Sequence, residues 1–180
     1  MALVGPVPPQ PDPYLGQYAA EQEARRDTAE TTRQAESDSI QRVAPDPYPA
    51  CRESIRIFLR GVAATKAMAE RIKGDLCAGT PTNLRLQGVL NRRVWISLSD
   101  SPDTLGYDWR SLAAGVTAPT LVVHGDADPL PLQGSKEWVQ ALPHARLVVI
   151  TGAGHYPHAE RPEAFFPAVE AFFAESLPQK

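Results

Sequence analysis

The sequence predicts an α/β fold, and three features of the 180-residue chain lead to that prediction. Two short, continuously apolar runs rich in β-branched residues lie in the last third of the chain, which is typical of strands buried in a parallel sheet. A helical pattern separates these runs and another follows them, so that strand and helix alternate. The long segment from residue 14 to about residue 112 shows only helical patterns.

Composition restricts the class of protein. Hydrophobic residues make up 43% of the chain and charged residues 22%, as in an ordinary globular domain. The net charge is −3 without a basic surplus, so we expect no nucleic-acid partner. The sequence contains neither a signal peptide pattern nor an apolar stretch of the roughly 18 residues that a membrane helix needs. Cys51 and Cys77 fit reduced thiols, an extracellular disulfide being the alternative, and we expect a cytoplasmic protein without membrane contact.

The N-terminal elements are a strand and then helices. Residues 1–5 have the pattern of the end of a buried strand, and the proline-rich segment to residue 13 is an extended connector. One polar helix is predicted from Tyr14 to about Arg42. A second, more amphipathic helix is expected to continue to Gly74 with a break near Gly61, and a third covers residues 84–98. The apolar face of the second helix contains Ile55, Phe58, Leu59 and Val62.

The pattern changes at Pro119, where strands alternate with helices. Residues 120–124 predict a strand buried on both faces, and residues 146–150 predict a second strand of the same kind. A helix over residues 135–142 separates them. The last helix runs from about Pro162 to Ser176, since proline suits the first turn of a helix.

Side chains capable of proton transfer follow both of these strands. Asp126 and Asp128 come after the first strand, and His155 comes after the second, 27 residues beyond Asp128. Loops at the carboxyl ends of parallel strands meet at one edge of a sheet. A carboxylate beside a histidine fixes its tautomer and stabilises the imidazolium, so these loops supply two members of a nucleophile–histidine–acid triad.

Three motifs in this part of the chain resemble the α/β-hydrolase family. They are Gly-x-x-Asp at residues 125–128, Gly-His at residues 154–155 and Glu-Arg-Pro-Glu at residues 160–163. The resemblance implies that Asp128 is the orienting acid, with Asp126 as the second choice, and that His155 is the general base.

The resemblance also implies a partial α/β-hydrolase fold. Residues 1–13 correspond to a residual core strand and connector, residues 14–112 to a helical cap, and residues 113–180 to the C-terminal part of the core. The N-terminal half of the sheet would be absent. The family implies neither a cofactor nor a metal, and the sequence contains no group of ligands at metal-binding spacing.

The remaining histidines are less favoured as site residues. We expect His124 to be a residue at the end of a strand and His144 to lie in a surface turn. His158 follows the histidine loop closely enough to line the site, but a structural role is the more frequent one for such a residue.

No nucleophile motif accompanies the two loops. The family carries its nucleophile on a Gly-x-Ser-x-Gly elbow, yet none of the nine serines and neither cysteine has glycine two positions before it. Asp108 lies in a segment similar to a Gly-x-Asp-x-Gly elbow, but Arg110 replaces the final glycine and no strand precedes it. We therefore expect Asp108 to be a connector residue and the chain to be the C-terminal half of a truncated or split enzyme.

The function implied by the resemblance is hydrolysis of an ester, amide or small peptide by acyl transfer. The partners would be a small-molecule or short-peptide substrate and a missing N-terminal half or another chain. The acidic first cap segment resembles that of proline-iminopeptidase-like members, whose cap carboxylates hold a substrate amino group. Its acidic residues are Glu21, Glu23, Asp27, Glu30, Glu36 and Asp38. Two alternatives stay open: a relative of epoxide hydrolases and dehalogenases with an aspartate nucleophile, or a non-catalytic remnant or partner subunit.

Overall fold

A computed structural model describes residues 1–72, 76–99 and 107–176, and the side chains of residues 91–99 are not included in the description. These residues form a three-stranded parallel sheet of order β1–β2–β3. The strands are β1 (Ala2–Val4), β2 (Thr120–Gly125) and β3 (Ala145–Ile150). Parallel strands with helices in the connections confirm the predicted α/β class.

Helices occupy the segments between and after the strands. In chain order they are α1 (Tyr14–Ala24), α2 (Thr28–Val43), α3 (Tyr48–Val62), α4 (Lys66–Ala69), α5 (Pro81–Ser99), α6 (Arg110–Ala113), α7 (Leu132–Ala141), α8 (Pro157–Glu160) and α9 (Pro162–Ser176). Across the described part of the chain, no helix combines the length and the apolar character needed to cross a membrane.

The central strand β2 is the best-covered element of the sheet. All six of its residues are buried, as predicted for a strand covered on both faces. The same prediction was wrong for β3, which is an edge strand in which only Ile150 is fully buried. An apolar run does not distinguish a central strand from an edge strand. The buried side chains around the sheet are Leu121, Val123, Ile150, Ala153, Phe165 and Phe172.

The first predicted cap helix is two helices, α1 and α2, so the prediction of one helix was wrong. The chain breaks at Asp27, whose side chain accepts a hydrogen bond from the Glu30 N–H at 2.7 Å. The Glu30 carboxylate accepts in return from the Asp27 N–H at 3.3 Å. This capping box satisfies two amides at the start of α2 and fixes a new helix N-terminus there.

The second predicted helix is interrupted near Gly61, as predicted. Helix α3 stops at Val62, because Ala63 takes an extended conformation. The Thr65 hydroxyl accepts from the Met68 N–H at 3.1 Å and starts the separate short helix α4. The end expected at Gly74 lies outside the described residues.

The two cysteines are paired, contrary to the expectation of reduced thiols. Cys51 near the start of α3 and Cys77 before α5 form a disulfide with a Cα–Cα distance of 6.0 Å. Both residues are buried beside Leu84. Residues 26 positions apart in sequence are brought together by the folding of the cap, which a count of cysteines does not reveal. The cytoplasmic location stays a prediction.

Candidate active site

The acid loop begins at the carboxyl end of β2 and turns back within three residues. The Asp128 N–H donates to the Gly125 carbonyl at 3.0 Å and closes this turn. One Asp128 oxygen, Oδ1, accepts from the Leu130 N–H at 2.9 Å. The Asp128 side chain is fully buried, so its backbone contacts determine the direction of the second oxygen, Oδ2.

His155 completes a carboxylate–imidazole pair with this oxygen. Its Nδ1 lies 2.9 Å from Asp128 Oδ2, and its side chain is 22% exposed. An ionised carboxylate only accepts hydrogen bonds, so Nδ1 carries the proton and Nε2 has the free lone pair. This arrangement can take a proton from a hydroxyl at Nε2 while the buried carboxylate stabilises the imidazolium.

The end of β1 reaches the same place, although sequence reasoning did not single it out. Gly5 has φ = 52°, and a Cβ atom there would lie 3.1 Å from His155 Nδ1 and 3.5 Å from Asp128 Oδ2. A left-handed backbone conformation and close approach to two side chains both favour glycine. The Gly-Pro pair after an apolar run was the available signal. The ends of all three strands thus meet at the pair.

The motif glycines have a steric role in bringing the loops together. A Cβ atom at Gly125 would lie 2.3 Å from the carbonyl oxygens of Ala153 and Gly154. A Cβ atom at Gly154 would lie 2.4 Å from the Val62 carbonyl oxygen. Backbone packs directly on backbone at both positions, and any side chain would separate the acid loop from the histidine loop.

The second-choice acid, Asp126, has a different contact. Its Oδ1 accepts from the Gly152 N–H at 2.7 Å, which ties the start of the acid loop to the turn after β3. Asp128, and not Asp126, faces His155 in the structure. Gly152 has φ = 71°, a left-handed value that suits glycine in this turn.

Glu160 is a buried carboxylate that contacts the histidine loop, and sequence reasoning did not identify it as a contact of the site. Glu160 is 5% exposed and accepts three backbone hydrogen bonds. The donors are the N–H groups of Ala64 at 2.8 Å, Gly154 at 3.0 Å and Tyr156 at 3.0 Å. The sequence analysis identified Glu160 only as the first residue of the Glu-Arg-Pro-Glu motif.

Cap residues cover the carboxylate–imidazole pair with apolar and phenolic groups. Tyr18 of α1 packs with Val62 and Leu130, and Tyr156 packs against this cluster. Burial, and after it the Asp128 charge, raise the pKa values of Tyr18 and Tyr156. The Tyr156 ring meets the His155 ring edge-on, with 5.4 Å between centroids. Both phenols are therefore held in the neutral form beside the Asp128–His155 pair.

His124 is a buried residue of β2, as expected for a residue at the strand end. Its Nδ1 lies 2.9 Å from the Ser135 hydroxyl in a fully buried contact. Burial lowers the pKa of His124, so the neutral imidazole is favoured.

His158 and His144 have structural surroundings. The His158 ring packs edge-on against Tyr156 and Phe165, with centroid distances of 5.9 and 5.8 Å. His158 is thereby next to the ring that touches His155. His144 is exposed, and its carbonyl accepts from the Thr120 N–H at 2.8 Å.

Asp108 lies on the surface and is paired with its own neighbour. Its carboxylate contacts the Arg110 guanidinium at 2.5 Å. This hydrogen bond lowers the pKa of Asp108 to about 2. Within the described ranges, no group of three or more His, Cys, Asp or Glu side chains is arranged to hold a metal ion.

The sequence is similar to those of known hydrolases. A family model described as the alpha/beta hydrolase family matches residues 2–168. The pimeloyl-[acyl-carrier protein] methyl ester esterase of Nitrosomonas europaea is 37% identical over 65 residues, which cover 36% of this chain and 26% of that protein. The 2-hydroxymuconate semialdehyde hydrolase of Pseudomonas putida is 43% identical over 58 residues, 32% of this chain and 21% of that protein.

The fold is also found among solved structures. An alpha/beta fold family hydrolase from Bacillus anthracis superposes with a TM-score of 0.58 at 14% identity. The superposition covers 98% of this chain and 57% of that one. The chain thus spans little more than half of this structure, and its matched segments span about a quarter of the curated relatives.

Proposed function

Because the chain belongs to the alpha/beta hydrolase family, we propose that it serves in the hydrolysis of an ester, amide or short peptide by acyl transfer. The observation that carries the proposal is the 2.9 Å contact between His155 Nδ1 and the buried Asp128 Oδ2. The relative described as a methyl ester esterase supports an ester substrate, and the one described as a semialdehyde hydrolase supports hydrolysis in general.

In the proposed reaction, His155 moves the proton and Asp128 orients His155. A hydroxyl nucleophile attacks the substrate carbonyl carbon and gives its proton to His155 Nε2. The imidazolium, stabilised by Asp128, then protonates the leaving alcohol or amine as its bond to the carbonyl carbon breaks. Water repeats the sequence on the acyl intermediate, which releases the acid and restores the hydroxyl.

The nucleophile has to approach from a segment beside β1. Leu121 N–H donates to the Met1 carbonyl and Gly5 N–H donates to the Val123 carbonyl, so alternate residues of β1 face β2. The N–H and C=O groups of the residues that alternate with these, Ala2 and Val4, point away from β2. A further parallel strand paired there would end next to Gly5 and hence next to His155.

An apolar cavity beside β1 supports the same proposal. Its volume is about 450 Å³, and it lies between β1, α6 and α7. Aromatic and aliphatic side chains dominate its lining, notably Leu3, Val7, Trp109, Leu112 and Trp138. A strand on the open edge of β1, followed by a helix in this cavity, would bury surfaces that are now exposed. We propose such a strand–helix unit, from an N-terminal half or another chain, as the partner.

Peptide specificity has less support than ester or amide hydrolysis. The acidic residues that suggested an amino-group site include Glu30, which is buried in the cap. Its carboxylate already contacts Arg60 at 3.1 Å and Lys66 at 3.5 Å. A carboxylate satisfied by two cations has little capacity for a substrate ammonium group.

An activated ester tests the proposal with a product burst as readout. We expect the 180-residue chain alone to show no burst, because it contains no Gly-x-Ser-x-Gly elbow. Co-expression with the strand–elbow–helix region of an alpha/beta hydrolase is expected to produce a stoichiometric burst that His155→Ala abolishes. A stoichiometric burst of the same size in the His155→Ala variant would contradict the proposal.

A further inference from the structure

We propose that Glu160 is a positioning residue for His155 and that it couples the helical cap to the imidazole. The inference rests on the proposed function, since it assigns a role at the same carboxylate–imidazole pair. Glu160 does not touch the imidazole, and it acts through the backbone on either side of it.

The contacts of Glu160 bracket His155 in sequence. Oε2 accepts from the Gly154 N–H at 3.0 Å, and Oε1 accepts from the Tyr156 N–H at 3.0 Å. Oε1 therefore fixes the peptide plane that follows the His155 Cα atom, and Oε2 fixes the plane that precedes the Gly154 Cα atom. The plane between them is fixed by the His155 N–H, which donates to the Val62 carbonyl. The direction in which the imidazole leaves the backbone is thereby fixed as well.

The cap contacts the histidine loop from the other side. The His155 N–H itself donates to the carbonyl of Val62, the last residue of α3, at 3.0 Å. Glu160 Oε2 also accepts from the N–H of Ala64, two residues further on, at 2.8 Å. The histidine loop and the α3–α4 junction therefore share one carboxylate, and a displacement of the cap junction is transmitted to His155.

The geometry of the pair makes this positioning important. His155 Nδ1 and Asp128 Oδ2 are 2.9 Å apart, and a hydrogen bond is lost when such a distance grows by about 1 Å. Asp128 cannot follow a displaced imidazole, because its Oδ1 is held by the Leu130 N–H. The pair thus depends on the hydrogen bonds that Glu160 accepts from the backbone of residues 154 and 156, which we call the clamp.

Substitution by glutamine isolates this role with little change in volume. A carboxylate accepts at both oxygens, whereas an amide has one acceptor and one donor. Glu160→Gln must direct its NH₂ group either at the Tyr156 N–H or at the N–H groups of Ala64 and Gly154. At least one of the three contacts becomes a donor–donor contact, and the clamp is weakened. Glu160→Asp keeps the charge but is one methylene shorter, so it weakens the clamp by loss of reach alone.

The experiment is ¹⁵N NMR of the His155 ring in the full chain, at a pH where the imidazole is neutral. In the unaltered protein we expect the Nδ1–H tautomer. In both Glu160 variants we expect the ratio of Nδ1–H to Nε2–H tautomer to fall at least about tenfold, which is the effect of losing one charge-assisted hydrogen bond. Gln41→Leu is the matched control, because Gln41 is also buried and donates to the Leu84 carbonyl at 2.9 Å, within the cap.

Three outcomes distinguish the inference from the proposed function. A tautomer ratio unchanged in Glu160→Gln and Glu160→Asp, or lowered equally in Gln41→Leu, would overturn the positioning role. If only one Glu160 variant folds, its ratio decides the question in the same way. If Asp128→Asn leaves the ratio of the unaltered protein unchanged, the pair itself is absent and the proposed function fails with it.

Discussion

The region that carries the acid and the histidine is held together differently from the cap. Between β2 and α9, carboxylates accept hydrogen bonds from backbone amides, as Asp128, Asp126 and Glu160 do. In the cap, Asp27 and Glu30 make such contacts within one helix end, but separate elements are joined by side-chain contacts such as the Glu30–Arg60 ion pair and the Cys51–Cys77 disulfide. Hydrogen bonds to backbone amides hold the loops at the backbone itself, whereas the side-chain contacts of the cap hold its helices through longer, rotatable groups.

The tightly packed region is the one in which the distance between His155 and Asp128 is set. The proposed proton transfer requires a defined distance between His155 and its carboxylate, and the loops that set this distance pack backbone to backbone. One contact of the cap with this region is the Arg25 guanidinium, which donates to the Ala127 carbonyl at 3.0 Å. Changes in the clamped region should therefore have larger effects than equivalent changes in the cap.

The same substitution in the two regions gives the largest expected contrast. Gly154→Ala places a Cβ atom 2.4 Å from the Val62 carbonyl oxygen, so the loop must move, and we expect about 3 kcal/mol or more of destabilisation. Gly16→Ala in α1 meets nothing within 4 Å and should stabilise the chain by about 0.5 kcal/mol. Urea unfolding of both variants measures the difference, and equal effects would contradict the contrast.

Removal of the disulfide tests how far the cap depends on a covalent contact. The bond closes a loop with a sequence separation of 26 residues, so its loss should lower the free energy of unfolding by about 3–4 kcal/mol. Cys51→Ser combined with Cys77→Ser, compared with the unaltered chain with and without reductant, measures the effect. Stability that is the same in all these samples would show that the bond does not contribute.

A smaller effect is expected from the pH dependence of stability. Burial lowers the pKa of His124 below its ordinary value of 6.5, while the nearby Asp128 opposes and His155 reinforces this shift. The unfolded chain then binds the proton more readily, so the free energy of unfolding should fall as the pH drops below about 6.5.

Variants at two histidines isolate this contribution. His124→Asn should flatten the fall in stability at low pH, whereas His144→Asn, at an exposed position, should leave it unchanged. Urea unfolding across the pH range measures both. A fall that is equally steep in the two variants would assign the pH dependence to other groups.

The contrast between the regions also explains what could be predicted from the sequence. The acid and histidine loops follow apolar strands, and parallel pairing brings their ends together, so Asp128 and His155 could be predicted as neighbours. Two candidate acids in one loop could not be ranked by spacing alone. The backbone decides between them, because the turn closed by the Gly125 carbonyl directs Asp128 toward His155.

The cap was predicted less well, apart from the break near Gly61, because helical periodicity does not show local caps or tertiary contacts. The Asp27–Glu30 capping box that starts α2 is such a local cap. The pairing of Cys51 with Cys77 depends on how α3 and the segment before α5 are arranged. The apolar sequence of β3 also does not show that this strand lies at the edge of the described sheet.

The 2.9 Å contact between Asp128 and His155 implies that Asp128 fixes the tautomer of the imidazole. Leu130 N–H holds an oxygen at the Oδ1 position, so Asp128→Asn must direct its NH₂ group at His155 Nδ1 and make that nitrogen an acceptor. The account predicts that ¹⁵N NMR of the His155 ring changes from the Nδ1–H to the Nε2–H tautomer in Asp128→Asn. Asp126→Asn, whose oxygen can still accept from Gly152 N–H, should leave the Nδ1–H tautomer in place. An unchanged tautomer in Asp128→Asn, or the same change in Asp126→Asn, would contradict the account.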